Sequence, residues 1–405
     1  MKVLLSAYAC APGQGSDPEI GWNWMQQLSR NHEVWVVTRA TKRPDIERSL
    51  ADQPAPNAHF VYIDLPKPLR FWKNWPGAIY VYYYLWQLLA YVKARKLHRR
   101  IGFDLVHHAT FGMYWMPSFL CLLPVPFVWG PVGGGESTPF SFRSGLRLRG
   151  RIYELIRTVA QVSSTLDPFV RLTAHRAKLA LATTHETAAK LTVLGCREVR
   201  VISCIALAAE DICVIDSAER RSGKAFRILS AGRLLHWKGF HFGIEAVARI
   251  AERVPSAEYW IFGSGPERKV LEQLAKRLGV GDRVIFHPGL PRNELLQKMS
   301  GFDVMLHPSL HDSGGFVCVE AMSAGCTVVC LDLGGPAIQV TAETGIKIPA
   351  TSPGQAIRDL AEALERLASD TGLRERLSRA GREHAREAFV WEAKVKDLGE
   401  IYSQL

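Results

Sequence analysis

Arg233 and Lys238 stand five positions apart in the stretch Ser230-Ala-Gly-Arg233-Leu-Leu-His-Trp-Lys238-Gly239. The stretch follows an apolar β-rich run and opens a helical one, so both cations fall on one loop at the positive end of a helix. Two cations and a helix dipole converging on one point make a site for a diphosphate. Two unrelated surface cations are the plainer alternative. A longer constellation runs from Pro308 to Gly325, with Asp312 and Glu320 eight positions apart and Gly314-Gly315 between them. Asp312 and the glycines fall in a loop, and Glu320 falls one turn into the next helix. Peptide N–H groups at such a helix start can hold phosphate oxygens, and a carboxylate there can accept from ribose hydroxyls. A surface carboxylate is the alternative for Glu320, yet it interrupts the apolar run Phe316-Val-Cys-Val-Glu-Ala-Met322.

Two further turns are glycine-rich. Pro12-Gly13-Gln14-Gly15-Ser16-Asp17 follows the first strand, and Phe262-Gly263-Ser264-Gly265-Pro266 follows a later one. Glycine lets the backbone approach a ligand closely. The third glycine of a dinucleotide fingerprint is misplaced, so hydride chemistry has no support. His107 and His108 end another strand, where an imidazole suits a ligand hydroxyl or a structural contact equally. The loop Trp129–Glu136 holds four glycines, Gly133 and Gly134 among them. Glu136 closes it, either as a contact to a ligand hydroxyl or as a cap on the following helix.

The elements that must position these residues alternate. Strand-like runs at Val3–Ala7, Val34–Thr38, Phe60–Ile63, Leu105–His107, Pro126–Trp129, Leu179–Thr183 and Val199–Ile202 are separated by helical stretches such as Glu19–Ser29, Ile79–Arg100 and Arg151–Arg176. The pattern restarts at Phe226–Ser230 and continues through Ala257–Phe262, Val284–Phe286, Val304–His307 and Thr327–Leu331, with a helical tail from Ser352 to Leu405. Strands separated by helices predict parallel βαβ units. The polar stretch Ala208–Lys224 is the expected linker. The fold class expected is α/β, with two doubly wound Rossmann-like domains facing across a cleft where ligands bind. The boundaries are 1–210, with a returning helix at about 390–405, and 220–389.

Composition narrows the classes further. The 405 residues are 47% hydrophobic and 22% charged, which is globular. The net charge of +11 is lopsided: residues 1–200 carry 25 Lys/Arg against 13 Asp/Glu, and the rest 25 against 26. A basic half suits a polyanion, an anionic membrane surface or a charged substrate. No zinc-finger or RNA-reading motif accompanies it, so nucleic acid is not expected. The eight cysteines form no Cys-x-x-Cys pair, which fits a reduced cytoplasmic chain without a metal site. No run of about 18 apolar residues is long enough to span a bilayer. Ile79–Tyr91 mixes apolar, Tyr and Trp residues ahead of Lys93, Arg95, Lys96, Arg99 and Arg100. Arg143, Arg147, Arg149, Arg151 and Arg157 interleave with Leu, Ile and Tyr. Both suit peripheral contact with the inner face of a membrane, or a packed helix with a solvated face.

Taken in order, Gly-Arg…Lys-Gly, Phe-Gly-x-Gly-Pro, Pro-Ser…Asp-(seven residues)-Glu-Ala-Met and a terminal Phe389-x-Trp391 resemble the large retaining family of GT-B glycosyltransferases, family four or group 1. These blocks cover nearly all of residues 225–405. Gly15-Ser16-Asp17-Pro18…Gly21-Trp22-Asn23-Trp24 is similar to a subgroup acting on bacterial surface polysaccharides. The resemblance implies a last helix that crosses back to the first domain, a donor-binding second domain and an acceptor-binding first domain. It implies that Arg233 and Lys238 hold the donor diphosphate and Glu320 the ribose. Asp312, with the backbone of Gly314, Gly315 and Phe316, should sit at the donor sugar and phosphate, with Gly15, Gly263, Gly265, Gly289 and Leu290 also lining the donor. His107, His108, Gly133, Gly134 and Glu136 are then acceptor residues, and His108 joins Arg233, Lys238 and Asp312 as catalytic. The family usually has Glu in the place of Asp312, and relatives have a second His where Ala109 stands. The implied activity is retaining, metal-independent transfer of a sugar from a nucleotide-diphosphate sugar, with no separate cofactor, to a lipid-linked or other glycan. A GT-B sugar-nucleotide epimerase and an inactive sugar- or lipid-binding protein remain as alternatives.

Overall fold

The computed structural model describes every residue except 15, 67–74, 76, 144, 147, 219–222 and 224. The chain divides into two units, Met1–Gly135 with Arg157–Cys204 and Val395–Leu405, and Glu136–Ile156 with Ile205–Lys394.

The first unit is built on seven strands: β1 (Lys2–Ser6), β2 (Glu33–Arg39), β3 (Ala58–Ile63), β4 (Leu105–His108), β5 (Phe127–Val132), β6 (Leu179–Ala182) and β7 (Val199–Val201). They form one sheet in the order β3-β2-β1-β4-β5-β6-β7, with every pairing parallel. Strands covered on both faces read as continuous apolar runs, and β4, β5 and β6 are buried at every position. Leu4, Val37, Val106, Trp129 and Ala180 pack with Tyr82, Tyr83 and Trp86 of the helix Ala78–Ile101.

The second unit repeats the plan with β8 (Phe226–Ala231), β9 (Ala257–Phe262), β10 (Val284–His287), β11 (Val304–His307), β12 (Thr327–Leu331) and β13 (Gly345–Ile348). Their order is β10-β9-β8-β11-β12-β13, again all parallel. Its core sets Ile228, Tyr259, Ile261 and Leu306 against Ile244 and Val247 of the helix Phe240–Ile250. In both sheets the strand order reverses once, between β1 and β4 and between β8 and β11. Such reversals open a crevice at the carboxyl ends of the strands.

Four local features differ from the sequence expectation. The strand β13 was not anticipated, because Gly345-Ile-Lys-Ile is short and its Lys347 pairs with Asp332 at the sheet edge (3.3 Å). The stretch Arg151–Arg176 is two helices, Leu148–Leu166 and Pro168–Arg176. Asp167 separates them, its carboxylate accepting from the N–H groups of Phe169 and Val170. The expected linker contains the helix Ala209–Asp216. Finally, Glu136–Ile156 groups with the second unit although the boundary was expected near residue 210. Phe142 explains this: it is buried in the second core, edge-on to Phe242 at 5.5 Å. The last helix, Trp391–Ser403, starts in the second unit and ends in the first.

Candidate active site

In the second unit the loops leaving β8 and β11 emerge side by side at the reversal of strand order. Gly239 ends the first loop at φ +66°, and a Cβ on it would meet the Pro308 carbonyl oxygen at 1.9 Å. Only glycine permits that approach. The loops are then stitched together by Leu310 N–H donating to Trp237 O (2.7 Å) and Ser309 Oγ donating to the same oxygen (3.2 Å). This brings Lys238 Nζ to 2.5 Å from Asp312 Oδ2, with His307 Nε2 at 3.2 Å from that oxygen. Asp312 Oδ1 accepts from the N–H groups of Gly314 (3.2 Å) and Gly315 (3.1 Å), at the start of the helix Phe316–Ala324. Burial opposes the charge of Asp312, but Lys238 and His307 hold its carboxyl well below the usual range. Burial lowers His307 against the pull of Asp312. Arg233 is exposed on the same loop.

Glu320 lies inside the helix Phe316–Ala324 and is buried. Its Oε1 accepts from Arg292 Nε at 2.9 Å, and Arg292 Nη2 donates to Asp211 Oδ2 at 2.9 Å. Burial raises the Glu320 carboxyl above its ordinary value, and Arg292 opposes that rise. The apolar run around Glu320 is thus the wall of the helix, and its one carboxylate is held by a guanidinium from the helix Arg292–Met299.

The other expected donor residues are placed as follows. Gly263 and Gly265 follow β9 and lie against the Arg233 loop: a Cβ on Gly263 would meet Gly232 O at 1.9 Å, and one on Gly265 would meet Leu234 O at 2.4 Å. The close approach expected toward a ligand is here an approach between two loops. Gly289 is exposed and Leu290 half-buried just beyond β10. Gly315 takes φ +68° and Phe316 begins its helix. Gly15 lies outside the described residues.

Among the expected acceptor residues, His107 is fully engaged by the first unit itself. Its Nε2 is 2.6 Å from Gly130 O and its Nδ1 2.6 Å from Tyr402 Oη, and burial pushes it down to about 4. Both ring nitrogens are thus held by partners within the first unit, the structural contact that the sequence left open beside a ligand role. His108, pointing the other way along β4, is buried, and burial with the neighbouring His107 pushes it down to about 3. It is therefore neutral at physiological pH. Gly133 and Gly134 are buried: Gly133 N–H donates to Gly112 O (2.6 Å), and Gly134 O accepts from Arg157 and Gln161. Glu136 groups with the second unit, where its Oε2 accepts from Ser313 Oγ at 2.5 Å.

Three participants escaped the sequence reading. His307 carried a signal, a histidine at the end of β11 one residue before the Pro-Ser loop. Arg292 and Asp211 carried none, because they stand 81 positions apart and meet only in the folded unit.

Comparison with known proteins follows the same lines. Residues 214–384 match the family described as Glycosyl transferases group 1. The 2-deoxystreptamine glucosyltransferase of Streptomyces kanamyceticus is 29% identical over 75% of this chain and 78% of that protein. The lipopolysaccharide core biosynthesis glycosyltransferase LpsD of Rhizobium meliloti is 34% identical over 51% of this chain and 58% of its own length. A D-inositol 3-phosphate glycosyltransferase of Streptomyces bingchenggensis is 32% identical over 44% of this chain, which spans only 40% of that relative. Among solved structures, HepE of Anabaena in complex with UDP aligns over 100% of both chains at a TM-score of 0.66 and 18% identity. WaaG, a glycosyltransferase involved in lipopolysaccharide biosynthesis, aligns over 98% of this chain and 99% of its own at 0.59 and 18%. The chain has the GT-B fold of two Rossmann-like domains.

Proposed function

With residues 214–384 matching the group 1 glycosyltransferases as the premise, we propose that the chain transfers a sugar with retention from a nucleotide-diphosphate sugar to a hydroxyl of a glycan or lipid-linked glycan. The observation that carries this is the convergence, at the reversal in the second sheet, of Lys238 with Asp312 and the start of the helix Phe316–Ala324, with Arg233 exposed on the Lys238 loop. In the reaction the bond from the anomeric carbon to the diphosphate oxygen breaks, and the acceptor oxygen bonds to that carbon on the same face. The acceptor proton passes to the leaving diphosphate. Negative charge grows on that leaving group, where Arg233, Lys238 and the helix N-terminus stabilise it, so no metal or separate cofactor is invoked. Lys238 exchanges part of its bond to Asp312 for a phosphate oxygen as the donor enters. Glu320, fixed by Arg292 on one oxygen, accepts from the ribose with the other.

HepE of Anabaena was solved with UDP, so UDP heads the list of donor nucleotides to try. The test is calorimetric titration of UDP, GDP, ADP, CMP and dTDP into wild type and Lys238→Ala. The expected result is binding of one nucleotide by wild type, weakened at least tenfold in the variant. Equal affinity in both proteins would remove the diphosphate assignment.

The finer part of the proposal concerns the acceptor's setting. Among the described residues no helix is long and apolar enough to cross a membrane. The helix Leu148–Leu166, however, exposes Leu148, Ile152, Leu155, Val159, Val162 and Leu166, spaced alternately by four and three. The helix Ala78–Ile101 exposes Val81, Leu88 and Val92, with exposed Lys93, Arg95, Lys96, Arg99 and Arg100 beyond them. An apolar stripe with basic flanks and a lipid-linked acceptor together support peripheral docking on an anionic membrane.

A further inference from the structure

Asp312 is held from both sides of its own loop by a segment that sequence boundaries assigned to the other domain. The chain leaves the first unit after Gly135, runs through the second as Glu136–Ile156, and returns at Arg157. Within the second unit this strap presents two buried carboxylates. At one end Glu136 Oε2 accepts from Ser313 Oγ at 2.5 Å. At the other, Glu154 Oε1 is 3.1 Å from His311 Nε2 and 3.4 Å from His236 Nε2. Ser313 and His311 are the two neighbours of Asp312, and His236 stands two positions before Lys238. Between the histidines, Trp237 stacks on Tyr153 at 4.4 Å and on His311 at 5.3 Å. A Cβ on Gly150 would come within 3.1 Å of the His236 ring, so the strap packs closely against the diphosphate loop as well.

We propose that Glu136 and Glu154 are positioning residues that fix the backbone on either side of Asp312 and register it against the Lys238 loop. The proposal rests on the glycosyltransferase reading. Asp312 has a short side chain, with one methylene between backbone and carboxylate, so its carboxylate has little reach of its own. It spends Oδ1 on Gly314 and Gly315 and Oδ2 on Lys238 and His307. Where that carboxylate lies is therefore set by the loop, and the strap sets the loop. Burial works against a charge on Glu154, but His236 and His311 hold its carboxyl well below the usual range. It is an anion throughout the working pH range. A carboxylate that orients a histidine, which in turn adjoins a reacting group, acts through geometry and not through contact with the substrate.

The experiment uses the full chain carrying Glu154→Gln, Glu136→Gln or Ser313→Ala, each alone and combined with Asp312→Glu. Nucleoside diphosphate affinity is read by calorimetry over UDP, GDP and ADP. Turnover is read as nucleoside diphosphate released from the matching nucleotide sugar. The strap variants are expected to lose at least tenfold in kcat while KM and nucleotide Kd stay within threefold, because the strap orders the sugar-side carboxylate. Asp312→Glu should depress the wild type and restore the strap variants, since a longer side chain recovers the lost reach. Ser313→Ala removes one contact without leaving a new charge, so it keeps the test open if a glutamate variant fails to fold. An unchanged kcat, or a parallel fall of kcat, nucleotide affinity and melting temperature with no rescue, overturns the strap. A wild type that binds none of the nucleotides overturns the glycosyltransferase reading, and the strap proposal with it.

Discussion

At the scale of single residues, the site is a set of charges that tolerate burial because each has a partner. Asp312 is an acid held below its ordinary value, so its contribution to stability is complete above about pH 4 and is lost as pH falls through its depressed value. Asp312→Asn keeps the acceptor for Gly314 and Gly315 N–H and removes only the charge. Urea midpoints from pH 6 to pH 2 should therefore show wild type ahead at pH 6 and the gap closing below pH 4. A gap independent of pH would mean that the Lys238 pair does not govern Asp312. Glu320 runs the opposite way: an acid raised by burial adds stability below its ordinary value and loses it as pH rises through its folded value. Arg292→Leu strips its counter-charge and that of Asp211, for a loss of about 3 kcal/mol. The deficit against wild type should widen from pH 4.5 to pH 7, and nucleotide affinity should fall at least tenfold. Arg233, Lys238, Asp312 and Glu320 stand out in the sequence as candidates through loop and helix spacing, which is local information. It was silent on Arg292, Asp211 and the histidine contacts of Glu154, because those partners come from distant elements.

At the scale of elements, strand positions were legible because parallel strands covered on both faces leave uninterrupted apolar runs, as at Val304–His307. The edge strand β13 left no such run, and Lys347 hid it. Helix boundaries were less legible. Arg151–Arg176 reads as one amphipathic segment until Asp167 and Pro168 are recognised as the stop of one helix and the cap of the next. The Asp167 carboxylate accepts from Phe169 N–H at 2.8 Å and from Val170 N–H at 3.2 Å, and its other oxygen accepts from the Tyr84 hydroxyl. It therefore fixes both the break and the seat of Pro168–Arg176 beside the helix Ala78–Ile101. Asp167→Ala should cost about 1–2 kcal/mol, visible as a lower urea midpoint. Asp167→Asn should recover most of it by keeping a cap acceptor. An alanine variant as stable as wild type would mean that the break is set by Pro168 alone. The strap belongs to the same scale: composition places Glu136–Ile156 in the basic first half, and the burial of Phe142 in the second core with the contacts of Glu136, Tyr153 and Glu154 reveals where it packs.

At the scale of the whole molecule, the charge asymmetry and the exposed apolar stripes lead to one prediction about where the enzyme works. Residues 1–200 carry the entire excess of basic charge, and the helix Ala78–Ile101 has no acidic residue along its length. Val159, Val162 and Leu166 lie exposed in the first unit, as does Phe169 at the start of the next helix. Inserting one such side chain into a bilayer interface gains about 1.5–3 kcal/mol at full burial, and each basic residue near an anionic leaflet adds about 1 kcal/mol. Those gains are separable by experiment, since salt screens the second and leaves the first. The chain should float with vesicles of 30% anionic lipid (an arbitrary composition of about that order) at low salt and lose most of its binding at about 0.5 M salt. It should float little with zwitterionic vesicles. Replacing Val159, Val162 and Leu166 together by serine should weaken anionic flotation by more than about tenfold without touching nucleotide affinity. Equal flotation with both lipids, or none at low salt, would leave the stripe without a membrane partner. It would then direct the search for the acceptor toward glycans that reach the enzyme free of lipid.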